Sequence, residues 1–167
     1  MTAIPVTRSF NPGAVLSIDA TTIVNLMVGG LAGLGLWEAF SAVPTALAAG
    51  FPLEPPELVR SLFHHQLGLD LPLVWAKALH YVTGFLFYPL GYLLVTRGIR
   101  SYGWPADGWI WGVITYFIAL GVFAPLAGQP VLLHTLPVLS FMSLVGHALY
   151  GWLAALVFEA LEARRAG

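Results

Sequence analysis

The chain has 167 residues, of which 58% are hydrophobic and only 9% charged, against about 25% charged in an ordinary soluble domain. Seven Lys and Arg oppose eight Asp and Glu for a formal charge of −1, so no basic field exists to hold a nucleic acid. There is no cysteine, which excludes disulfides, thiolate metal sites and cysteine nucleophiles. A mean hydropathy of +0.81 points away from disorder and from a typical soluble enzyme, and toward a bilayer protein.

The first twenty residues lack a signal-peptide pattern. Arg8 is followed by Ser9, Asn11, Pro12 and Gly13, and Asp19 sits where an apolar run belongs, so the N-terminus is expected to be retained. A spanning helix needs about 20 mostly apolar residues, and four runs qualify. The first runs from about Thr21 to about Val43, capped by Asp19 and ended by Pro44. The second covers about Leu73 to Thr96, the third about Gly108 to Gly128, and the fourth about Leu136 to Leu161. None alternates as a strand would. Pro89 and Pro125 fall inside spans and predict local kinks. Gly29 and Gly33, with Gly30 and Gly35, predict one smooth face on the first helix, and Gly84 and Gly91 another on the second.

The outer loop, about Thr45 to Pro72, carries Pro52, Pro55 and Pro56 and then a short helix, Glu57 to Leu67. Leu58, Leu62 and Phe63 share one face of it. Such a helix lies along the membrane surface or folds over the spans as a lid. The expected architecture is therefore an all-α membrane protein, a single four-helix transmembrane bundle with an extra interfacial helix.

With four spans, Arg8, Arg97, Arg100, Arg164 and Arg165 share one side, and Arg60 and Lys77 the other. The positive-inside rule then puts both termini in the cytoplasm of a bacterial-type inner membrane. Trp104, Trp109 and Trp111 are expected at the inner interface, with Trp37 and Trp75 at the outer.

Ionisable residues at membrane depth call for a named partner. Glu38, His80 and His147 stand inside spans, at about 8, 10 and 16 Å below the outer ends by helix rise. Glu38 can meet His80 or Lys77, a buried polar cluster that ties two helices together. His80 and His147 are alternatively the axial pair of a b-type haem, which requires histidines on facing helices, although their depths differ by about 6 Å. A quinone site is a third reading, with Tyr81, Tyr88, Tyr92, Trp109, Trp111, Tyr116 and Trp152 as aromatic lining. His64, His65 and His134 lie in outer loops near Glu54, Glu57 and Asp70 and form the candidate metal set, since imidazole with carboxylate suits zinc or copper. Adjacent His64 and His65 point about 100° apart on a helix and lack the i,i+4 ligand spacing. A proton or solute pathway through Glu38, His80 and His147 is a further reading. No hydrolase elbow or channel filter occurs.

The phrases His80-Tyr81-Val82-Thr83-Gly84 and Gly146-His147-Ala148-Leu149-Tyr150-Gly151 resemble those of small, uncharacterised four-span bacterial membrane proteins. The resemblance implies a four-helix membrane protein and no particular reaction. The expectation is a small non-enzymatic membrane protein, an accessory or scaffold subunit in contact with lipid and with a membrane partner or a second copy. A haem- or quinone-binding electron-transfer subunit is the alternative.

Overall fold

The computed structural model describes residues 18–98 and 101–166, all helix or connecting turn with no strand among them. Arg8, Arg100 and the N-terminal stretch read as retained lie outside the described residues. Four helices are long and apolar enough to cross a membrane: α1 (Ala20–Ala49), α3 (Leu73–Arg97), α4 (Trp104–Leu126) and α5 (Pro137–Arg165). Between the first two lies α2 (Pro55–Leu67). The fourth span, α5, packs along both α1 and α4, while α3 packs against α1.

Asp19 caps α1 as expected, its carboxylate accepting the Thr22 N–H at 2.8 Å. Pro44 does not end the helix. The backbone widens to a π turn over Ser41–Thr45 and continues to Ala49. A proline removes one N–H and crowds the carbonyl four residues back; here that carbonyl belongs to Phe40, and the Thr45 hydroxyl donates to it at 3.1 Å. The same device recurs at the other two internal prolines. Thr83–Phe87 is π-helical just before Pro89, and Phe117–Phe123 just before Pro125. One wide turn absorbs the steric conflict that a sharp kink would otherwise relieve.

Glycine sets the helix contacts, on more faces than the sequence suggests. A Cβ on Gly33 would stand 2.8 Å from the Tyr150 carbonyl oxygen of α5, whereas one on Gly30 would stand 2.7 Å from that of Phe85 on α3. Gly35 meets nothing described within 4 Å, so α1 has two glycine faces and Gly35 belongs to neither. One close approach was not anticipated: a Cβ on Gly112 of α4 would clash with the His147 carbonyl and come 2.6 Å from the Ala148 Cα.

Two tryptophans also depart from expectation. Trp37 is 5% exposed and Trp111 8% exposed; both point inward rather than joining an interface belt. Trp111 fills the space beside Gly91. Trp75 and Trp109 are exposed. The tryptophan rule reads composition along the chain, but helix rotation decides which ring meets solvent or lipid.

At the end opposite α2, polar side chains tie α1, α3 and α5 together. Glu162 accepts from Asn25 at 2.7 Å and from Thr22 at 3.3 Å, with Arg97 at 3.7 Å. Arg165 pairs with Asp19. That guanidinium, with the Thr22 N–H, holds the Asp19 carboxyl well below the usual carboxylate range. A depressed pKa contributes stability that is present above the ordinary carboxylate range and lost as pH falls through the lowered value.

Two expectations follow. Gly112→Ala should destabilise the folded protein by about 1–3 kcal/mol through overpacking, read as a lower Tm in detergent, while Gly35→Ala leaves Tm unchanged. Asp19→Asn should lower Tm at neutral pH, with the gap to wild type closing in strong acid; a gap that persists there contradicts the ion pair.

Candidate functional site

The π turn in α3 leaves a specific hole in the backbone ladder. The Tyr88 N–H bonds the Thr83 carbonyl, five residues back, and Pro89 has no N–H to offer. The Gly84 carbonyl has therefore lost both its α and its π partner. The Tyr150 hydroxyl of α5 donates to it at 2.6 Å. Gly84 and Tyr150 belong to the two sequence phrases, one to each, and this bond joins them.

Around that bond is a cavity of about 540 Å³. Leu34 and Trp37 of α1, His80, Thr83 and Tyr88 of α3, Ala119 and Leu120 of α4, and Ser143 and His147 of α5 form its walls. Its roof is the segment from Phe51 to Ser61, the chain that enters α2 and the first turns of α2 itself. The roof is tied down. The Ser41 hydroxyl donates to the Leu53 carbonyl at 2.7 Å, and the Gln66 amide to the Leu126 carbonyl at 2.6 Å. Glu54, Glu57 and Gln129 stand at the rim.

Both histidines within spans thus open on one space. His80 is held through Nε2, 3.1 Å from Glu38 Oε1. The longer α1 puts Glu38 about 16 Å below its outer end by helix rise, deeper than expected, yet it still meets His80 because α1 overshoots the outer end of α3. The pair is not buried: the Glu38 side chain is 44% exposed. Lys77 is exposed and stands apart from it. His147 is held differently, its Nδ1 donating to the Ser143 carbonyl of its own helix at 2.8 Å, with the Trp37 ring centroid 4.6 Å away. Gly146 makes that contact possible, since a Cβ there would stand 2.5 Å from Trp37 Cε3.

Of the aromatic residues singled out in the sequence, Tyr88 alone lines the cavity. Tyr92 and Trp111 are in the core below it, and Trp109 leans on Trp152. Trp37 and Tyr150 were not anticipated as cavity residues. The spacing of Ser143, His147 and Tyr150 at i, i+4 and i+7 does place them on one helix face, and that signal was readable.

His64, His65 and His134 are not drawn together, and among the described residues no group of three His, Cys, Asp or Glu is placed to hold a metal. His64 faces Asp70 at 2.9 Å, His65 bonds the Ser61 carbonyl at 2.9 Å, and His134 the Val131 carbonyl at 3.2 Å. Each ring serves local turn structure.

Comparison with family models, with curated proteins and with solved structures finds no match.

Leaving the Gly84 carbonyl without a donor should be costly. Tyr150→Phe is expected to destabilise the protein by about 1–3 kcal/mol. Pro89→Ala, which supplies the missing N–H, should reduce that loss in the double variant. Thermal unfolding of the four proteins as a double-mutant cycle measures it, and strict additivity would deny the link.

Proposed function

We propose that the chain is a multi-pass membrane subunit that holds one small, largely apolar ring compound of the quinone class in the cavity beneath α2. The observation that carries this reading is that His80 and His147, on different spans, line one roofed apolar space. A scaffold whose histidines only glue helices together needs no such space. Pockets of about 300–1,000 Å³ with apolar walls and a few convergent polar groups are the usual form of small-molecule sites.

The polar inventory favours a quinone-type ring over haem. His80 has its Nε2 committed to Glu38, so a two-histidine iron site would break that contact. Haem also carries two propionates. Among the described residues no lysine or arginine lines the cavity, and its rim bears Glu54 and Glu57. A neutral ring with one or two oxygen heads has no such conflict. The Tyr88 hydroxyl, on the same wall, both donates and accepts and so suits an oxygen head.

In this reading the four spans form one bundle in a bacterial-type inner membrane, with both termini cytoplasmic and the Arg97, Arg164 and Arg165 end inward. Helix α2 then lies at the outer interface. Exposed Leu67, Leu69, Val74 and Trp75 support contact of that rim with lipid. The protein serves a larger electron-transfer assembly as an accessory subunit.

Calorimetric titration of the detergent-purified protein with a short-chain benzoquinone and its hydroquinone tests the site. Saturable one-to-one binding is expected, weakened at least about 10-fold, or ~1.4 kcal/mol, in Ala119→Trp, which fills the wall without touching a polar group. Heat that rises without saturation, equally in both proteins, would be partition into micelles and would end this reading.

A further inference from the structure

We infer that the cavity selects the hydroxyl-bearing, reduced form of its ring ligand, because His147 in its wall keeps an acceptor nitrogen. This inference rests on the quinone-class reading of the cavity and adds the redox form it takes.

The argument starts at His147. A carbonyl oxygen has no proton to give, so the 2.8 Å contact between His147 Nδ1 and the Ser143 carbonyl requires the proton on Nδ1. The ring's other contacts are the Ser143 hydroxyl, 3.3 Å from the same Nδ1, and the rings of Trp37 and Tyr116, and none is an anion that would offset a second proton in an apolar wall. The ring therefore carries one proton, and Nε2 keeps its lone pair. Nε2 can accept a hydrogen bond and cannot donate one.

A second acceptor is freed in α4, whose residues also line the cavity, for the reason already met at Gly84. In α4 the Ala124 N–H bonds the Ala119 carbonyl, five residues back, and Pro125 has no N–H. Leu120, which lines the cavity, thus has a carbonyl without its α or π partner. At Gly84 a tyrosine supplies the missing donor. Among the described residues no side chain is recorded as donating to Leu120.

A wall residue that keeps an acceptor nitrogen suits a ligand with an O–H group. A quinone carbonyl set against the His147 lone pair would leave two acceptors face to face, whereas a hydroquinone donates to it. Sites built to bond a hydroxyl discriminate strongly against analogues that lack it. Tyr88 serves either form, because its hydroxyl both donates and accepts.

The test compares three ligands of one ring size under anaerobic conditions: a short-chain hydroquinone, its quinone and its dimethyl ether. The hydroquinone should bind about 10-fold or more tightly than the other two, the scale of one well-made hydrogen bond. In His147→Leu the hydroquinone should fall to the level of the ether, with the ether unchanged. Equal binding of all three to the wild type overturns the selectivity while leaving the cavity's occupant of the same class. Binding of none overturns both. Should His147→Leu fail to fold, ¹⁵N NMR of the wild type decides the tautomer: a protonated Nδ1 with an unprotonated Nε2 is expected, and the reverse pattern overturns the inference.

Discussion

In hydrocarbon, a backbone carbonyl without a donor has no water to turn to, and three prolines set inside helices create that problem in this chain. Each is met by a wide turn, and at Pro44 and Pro89 a hydroxyl, from Thr45 or from Tyr150, supplies the missing donor. The Tyr150 hydroxyl closes the gap at Gly84 and in doing so fixes α5 against α3. His147, one turn before Tyr150, and His80, one turn before Gly84, are thereby brought to opposite sides of one space. The hydrogen bond is a repair of the backbone, and the juxtaposition of the two histidines is its consequence.

The same economy explains where the space lies. Glycines bring the helices nearly into backbone contact at several levels: Gly29 and Gly33 against α5, and Gly112 of α4 against α5, while Gly91 makes room for the Trp111 ring. Close approach is the main source of attraction between spans, since lipid tails compete equally for apolar side chains. Toward the α2 end the contacts are made instead by π turns, which widen each helix where two of them line the cavity. Tight packing at one level and widened turns at another give a cavity with rigid walls.

The two ends of the molecule divide the polar work. At one end Asp19, Asn25, Arg97, Glu162 and Arg165 bond one another across three helices. At the other, the roof is held by hydrogen bonds to backbone carbonyls, involving Ser41 and Gln66, and by Leu53 and Leu58, which pack against the buried clusters of the spans.

Four apolar runs, the cap at Asp19, the short helix after Pro55 and a polar partner for Glu38 in either His80 or Lys77 were legible in the sequence, because each depends on local pattern or on depth along one helix; that the partner is His80 was decided by the packing. Helix ends at prolines were not legible: a π turn lets the chain pass Pro44, and only a neighbouring hydroxyl decides whether the freed carbonyl can be tolerated. Nor was the inward turn of Trp37 and Trp111, which depends on how each helix rotates about its axis. The cavity belongs wholly to tertiary structure. It exists because residues from all five helices and the loops between them stop short of filling a volume, and a deficit of that kind has no signature in any single stretch of chain.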